Sequence, residues 1–200
     1  MLDISLEDRE HLKKVLEHFK KPKNPEQVFY HMCFCLCTPQ TTFKNNKIVL
    51  QRLVENHFYT SDITQEALSK MVKEVRFNNN KAMWLIGAKK NFNEILKIVT
   101  SEDLNSFDKR KWLVKNIVGF GMKTSSHFLR NLGCTDLAII DTHIMKFLRL
   151  AHYPNGNNEA YQEIERIFIK KAEEHGLTPV EFDAYIWKIS SNTSWTEFDR

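Results

Sequence analysis

The sequence predicts an all-α protein, and three observations carry that expectation. Apolar residues recur with the helical period of 3.6 through most of the chain, giving roughly ten segments long enough to be helices. No stretch alternates convincingly as a strand would. The segments are punctuated by Ser, Thr, Asn, Asp, Gly and Pro at positions suited to starting or stopping helices. With 200 residues, 42% hydrophobic and 27% charged, the chain can bury a real core in one or two domains.

The elements follow in order. Residues 5–20 form an amphipathic helix with Leu6, Leu12, Val15, Leu16 and Phe19 on its apolar face. Ser5 is its N-cap, with Asp8 in the place of the capping-box glutamate. Pro22-Lys23-Asn24-Pro25 breaks the helix and marks a candidate domain boundary. Glu26 to Cys37 is an apolar-rich helix, Thr38 to Thr42 a polar connection, and Lys44 to Asn56 a further helix. Thr60 to Val75 reads as helical, with Thr64 an alternative start. Arg76 to Lys81 reads as a polar loop with three successive asparagines. Ala82 to Thr100 is expected as one long helix whose Lys89, Lys90 and Lys97 form a solvated face.

A helix containing Trp112, Leu113, Asn116 and Ile117 then leads into Gly119-Phe120-Gly121. The next helix carries Lys123 in its first turn, continues through Phe128 and Leu129, and stops near Gly133. Leu137 to Ile140 is a run suited to burial. Asp141, a favoured N-cap type, opens a helix to about Ala151. After the loop at Pro154 to Asn158, an amphipathic helix spans Glu159 to His175 and ends at Gly176. Thr178-Pro179 starts the last helix, through about Ile189, with Trp187 on it.

Composition excludes several classes. No apolar run reaches the length of a membrane span, and no signal peptide is visible, so an intracellular protein without a membrane partner is expected. The net charge of +4 permits nucleic acid as a partner without requiring it. Cys33, Cys35 and Cys37 alternate, and residues two apart on a helix point to nearly opposite sides. These three therefore read as buried free thiols and not as a metal or redox site, and the four cysteines, Cys134 included, suggest no disulfide framework.

The chemistry concentrates between Leu113 and Ile144. Glycine suits tight turns and close approach to a ligand, and a helix N-terminus favours an anion. From Lys109 to Thr135 there are six Lys/Arg and no Asp or Glu. A glycine hairpin in that setting points to a phosphate backbone. Lys123, among apolar neighbours, is a candidate for a desolvated amine with a lowered pKa. An amine nucleophile and the Asp141 carboxylate beside a phosphate grip suggest Schiff-base chemistry on a nucleotide.

Gly119, Gly121, Lys123 and Asp141, at this spacing, resemble the signature of the helix-hairpin-helix DNA glycosylase superfamily. GFGMKTSSHFLRNLG, AIIDTHI and YIW are similar, in sequence and order, to 8-oxoguanine DNA glycosylase/AP lyases of the small archaeal-type class. The resemblance implies two helical lobes with a DNA-binding cleft between them: residues 25–133, with the motif at about 108–133, and residues 1–24 plus 134–200. It implies a monomer acting on duplex DNA that contains 8-oxoguanine. Lys123 is then the nucleophile and Asp141 the supporting carboxylate, while Gly119 and Gly121 hold the DNA backbone, directly or through a monovalent cation. No cofactor or catalytic metal is implied. Residues 142–200 lack the cysteines of an iron–sulfur loop.

Further roles come from the resemblance alone. Gln40 enters the duplex where the extruded nucleotide was; the usual T-A-N is T-P-Q here, which keeps an amide. Phe77 is a wedge, His143 reaches a phosphate, and Trp187, His127 and Arg200 belong to base recognition. The Arg200 terminal carboxylate would accept from N7 of 8-oxoguanine, and Trp195 rivals Trp187 for stacking. Taken alone, Phe77 and Trp187 read as core packing, His143 as a surface histidine, and residues 38–42 as a plain connection. A glycosylase for another damaged base and a non-enzymatic DNA-binding module are the alternative functions.

Overall fold

The computed structural model describes residues 2–152, 154 and 156–191. Among them are eleven α-helices and no strand. The chain divides into two compact units, one of Met1–Lys21 with Leu129–Arg200 and the other Pro22–Phe128.

The continuous unit is built on α2 (Pro25–Cys37), which starts with Pro25 in its first turn and Asn24 and Gln27 in a reciprocal capping box. The segment that breaks the first helix thus also starts the second. Val28, Phe29, Met32, Cys33, Cys35, Leu36 and Cys37 are all buried, so this helix is enclosed on nearly every side. That enclosure explains the alternating cysteines: they face different neighbours within one core. Burial raises the Cys33 thiol and pushes Cys37 up to about 12, the character of inert thiols. Cys134 is half-buried. Phe29 packs against Phe58, Tyr59 and Phe92 with ring centroids 5.1–5.5 Å apart. Burying each such ring contributes roughly 1.5–3 kcal/mol.

Around α2 stand α3 (Phe43–Glu55), α5 (Asn78–Lys90) and α6 (Phe92–Thr100), and α4 (Gln65–Met71) packs on α5 and α3. Three expectations are corrected here. The helix sought over residues 60–75 is only α4, capped by Thr64, whose hydroxyl accepts from Ala67 N–H. The asparagines of the expected loop at 76–81 are the first turn of α5. The single helix over 82–100 is two. Asn91 both ends α5, its side chain donating to the Gly87 carbonyl at 2.8 Å, and begins α6, its own carbonyl accepting from Glu94 and Ile95. An asparagine side chain competing for backbone bonds makes this break while the apolar period runs on. Lys89 is not solvated either: its ammonium donates to the Phe58 and Ser61 carbonyls at 2.7 and 2.6 Å.

The chain then forms α7 (Ser106–Asn116) and α8 (Met122–Asn131), with the glycine pair between them. The other unit contains α1 (Leu6–Lys20), α9 (Thr142–Phe147), α10 (Asn158–Glu174) and α11 (Pro179–Ser191). Ser5 caps α1 by accepting from Asp8 N–H at 3.0 Å, while the Asp8 carboxylate accepts a hydrogen bond from the Ser5 hydroxyl and pairs with Lys188 on α11. Helix α11 opens with Thr178 and Glu181 in a full capping box. Helix α9 is shorter than expected. Arg149 adopts φ +57° and Leu150 N–H closes onto the Met145 carbonyl, a Schellman-type stop.

Leu137 to Ile140 is buried, as expected, and is not helical. A buried irregular segment needs partners for its backbone. Helix α10 supplies them: Tyr161 Oη accepts from Ile140 N–H and donates to the Ala138 carbonyl, both at 3.0 Å, and Glu165 accepts from Ala138 N–H at 3.0 Å. These bonds hold the strand-like run that delivers Asp141 to the start of α9. Tyr161→Phe is therefore expected to destabilise the protein by about 2 kcal/mol, because it strips a buried donor and acceptor of one partner each. Urea denaturation measures this, and an unchanged midpoint contradicts it.

Candidate active site

The two hairpin glycines differ. Gly119 has φ +95°, and a Cβ there would lie 2.9 Å from the Trp84 ring and 3.0 Å from Leu36. It is glycine because the turn is left-handed and its backbone is pressed onto α2 and α5. Gly121 has no positive φ, is exposed, and would place a Cβ in open space. Nothing in the fold demands glycine at that position. Among the described residues, none of the turn hydrogen bonds is donated by Gly121, Met122 or Lys123 N–H. The start of α8 thus presents unpaired donors and a positive dipole end.

Lys123 stands in the first turn of α8 and is half-buried. Within its own unit nothing hydrogen-bonds or ion-pairs its amine. Two of the six cations of the basic stretch around the hairpin are used within the protein. Arg110 is buried, donates to Ser126 Oγ at 3.0 Å and lies over the Phe107 ring, so it clasps α7 to α8. Arg130 lies over Phe19 and reaches Asp183 at 3.4 Å. Lys111 and Lys115 are exposed, and Lys109 and Lys123 half-exposed.

Gln40 is exposed at φ +54°, the third residue of a turn closed by Thr41 N–H on the Thr38 carbonyl at 3.1 Å. Pro39 precedes it, as in a type II turn. The plain connection is in fact anchored at several points: Asn46 donates to the Phe34 carbonyl and to Thr38 Oγ1, and the Lys81 ammonium meets three oxygens of the loop. Phe77 also has a left-handed backbone, φ +59°, and is 48% exposed with the Arg76 guanidinium over its ring at 4.8 Å. It does not plug the core. His127, on α8, meets Phe34 edge-on at 6.0 Å, and Phe34 meets Phe43 at 6.1 Å, next to the Gln40 loop.

In the other unit, Asp141 is the N-cap of α9. Its Oδ1 accepts from His143 N–H at 2.8 Å and from Ile144 N–H at 3.0 Å. One oxygen fixes the carboxylate, and Oδ2 is engaged by no described residue. His143 and Trp187 are half-buried on α9 and α11. Arg200 and Trp195 lie outside the described residues. Lys81 is the residue that sequence reasoning passed over. Its signal was faint: a lysine in an apolar register, followed by a buried alanine.

The sequence profile of a family described as 8-oxoguanine DNA glycosylase matches residues 11–177. The chain belongs to this family. An 8-oxoguanine DNA glycosylase/AP lyase of Methanocaldococcus jannaschii is 36% identical over 185 residues, covering 88% of this chain and 87% of that one. The crystal structure of the Thermotoga maritima 8-oxoguanine DNA glycosylase aligns with TM-score 0.80 and 26% identity over 92% of this chain and 90% of that one. The Methanocaldococcus jannaschii glycosylase/lyase in complex with a 15mer DNA containing 8-oxoguanine aligns with TM-score 0.78 and 29% identity, covering 92% and 91%. The helix-hairpin-helix fold of the family is the fold described above.

The unlike glycines give a paired prediction. Gly119→Ala is expected to destabilise by roughly 2–4 kcal/mol, from the strained φ and the clash with Trp84. Gly121→Ala is expected to leave stability within about 0.5 kcal/mol while weakening duplex binding roughly tenfold. Thermal denaturation and a fluorescence-anisotropy titration separate the two effects; equal loss of stability in both contradicts the assignment.

Proposed function

We propose that this chain flips 8-oxoguanine out of duplex DNA, excises it through a Lys123 Schiff base and nicks the strand by β-elimination. The observation that carries the reading is a half-buried lysine amine in the first helical turn after a glycine hairpin, in a chain of this family. The unpaired amides at the start of α8 and the open Gly121 suit the phosphate backbone. Extruding the nucleotide costs a few kcal/mol, roughly, in lost stacking and pairing. Gln40 fills the vacated place, Phe77 wedges the base step, His143 holds a phosphate, and His127, Trp187 and Arg200 recognise the base.

The chemistry proceeds from the neutral amine. Lys123 Nζ bonds to C1′ as the bond from C1′ to the base nitrogen breaks, and the base leaves with the electron pair and gains a proton. Asp141 stabilises the positive charge that develops on the sugar and receives or orients the amine proton. Opening of the sugar ring gives the Schiff base. Loss of a C2′ proton then expels the 3′ phosphate and leaves the strand nicked. The cap bonds on Oδ1 leave Oδ2 for this work and spare the site the cost of orienting the carboxylate during reaction. The protein acts as a monomer, inside the cell where its DNA is.

Two substitutions test this. Lys123→Gln is expected to bind 8-oxoguanine duplex at near-parental affinity but to show neither excision nor nicking. Asp141→Asn keeps an N-cap residue type, so it is expected to fold normally and to slow single-turnover excision about 100-fold or more. Retained excision by Lys123→Gln contradicts the Schiff-base assignment.

A further inference from the structure

Lys81 is fully buried at 0% exposure, a costly position for a charge unless its donors are all used. They are. The ammonium donates to the Cys37 carbonyl at 2.8 Å, the Pro39 carbonyl at 2.7 Å and Thr41 Oγ1 at 2.9 Å. Three donors meet three oxygens that bracket one residue, Gln40. Two of those oxygens are carbonyls at and just past the end of α2, where a cation also complements the helix dipole. Burial lowers the amine's pKa, and the nearby Cys37 opposes that shift.

The same lysine also belongs to the Phe77 corner. Its backbone N–H donates to the Phe77 carbonyl at 2.9 Å, the first helical bond of α5. Gln40 and Phe77 are both held in left-handed backbone that non-glycine residues avoid, and both point into solvent. Such strain persists only where surrounding bonds over-determine it. At Gln40 those bonds are the Lys81 ammonium and the Thr38–Asn46 pair.

We infer that Lys81 is a positioning residue for strand insertion: its ammonium fixes the Gln40 loop to the start of α5, so that Gln40 and Phe77 enter the duplex as one rigid pair. This rests on the reading of those two side chains as the ones that enter DNA. Lys81 itself touches no substrate. It sets the spacing between an amide that fills the vacated place and a ring that wedges the adjacent step, which bears on how firmly the flipped state and the opposite base are held.

The test uses the full chain. Lys81→Met keeps length and removes the ammonium, and Thr41→Val removes one of its three acceptors with less risk to folding. Each is compared with Gln40→Ala for single-turnover excision from an 8-oxoguanine duplex and for borohydride trapping on a single-stranded abasic oligonucleotide, which needs no insertion. Slowed duplex excision is expected, roughly tenfold or more for Lys81→Met and severalfold for Thr41→Val, with trapping on the single strand retained. The Lys81→Met, Gln40→Ala double variant is expected to be no slower than the slower single one, since both remove the same device. Parental duplex excision by Gln40→Ala overturns the insertion reading itself. Slowed Gln40→Ala with parental excision by Thr41→Val and by folded Lys81→Met overturns the role of Lys81 alone. Multiplying losses in the double variant, or a parallel loss of single-strand trapping, assigns Lys81 to general stability and also overturns it. Should Lys81→Met not fold, Thr41→Val decides between the same outcomes.

Discussion

The close seat of Gly119 against Trp84 and Leu36 is the constraint on which the hairpin depends. With no room for a Cβ, the backbone turns at that point in one way only. The turn sets where α8 begins, and the start of α8 sets the height of Lys123 above its unit. The last turn of α2 is shared. Leu36 lies under the hairpin, while the neighbouring Cys37 carbonyl receives the Lys81 ammonium that holds the Gln40 loop. The lysine helix and the amide loop therefore stand on one foundation, and a shift at the end of α2 moves both. Arg110 adds a second clasp by tying α7 to α8 through Ser126.

Asp141 is fixed by a different device. A buried, non-helical run cannot satisfy its own backbone, and Tyr161 and Glu165 supply what neighbouring strands would in a sheet. The run ends at an N-cap whose Oδ1 takes both helix bonds, while Oδ2 is engaged by no described residue. In the proposed mechanism one residue type thus answers both a folding need and a chemical one. Aspartate is a favoured cap, and only a carboxylate among the favoured caps carries negative charge to stabilise a cationic sugar.

Local chemistry was the legible part of this sequence. Capping at Ser5, Thr64 and Asp141, the stop near Gly176, Pro179 at the head of α11 and the glycine hairpin all follow from bonds between residues near one another in the chain. So does the all-helical class, because the apolar period is visible without knowing any partner. What stayed hidden depended on distant partners. Asn91 splits a helix although the apolar pattern runs straight through it. Arg110 and Arg130 look like free charges of a basic stretch until the groups they meet inside the protein are known. Lys81 and Lys89 look solvated because a lysine's sequence neighbours say nothing of carbonyls some thirty to forty residues away. The exposure of Phe77 was hidden as well, since an aromatic in a polar segment, taken alone, reads as core packing.

In the proposed mechanism the Lys123 amine forms a covalent intermediate with the sugar of 8-oxoguanine. Borohydride trapping tests it most directly, on duplexes identical except for 8-oxoguanine, guanine, thymine glycol or an abasic site at one position. An adduct is expected on the 8-oxoguanine duplex, none on guanine, and a modified peptide in which Lys123 bears the sugar remnant. An adduct confined to the abasic site contradicts the substrate assignment, and no adduct on any duplex contradicts the chemistry.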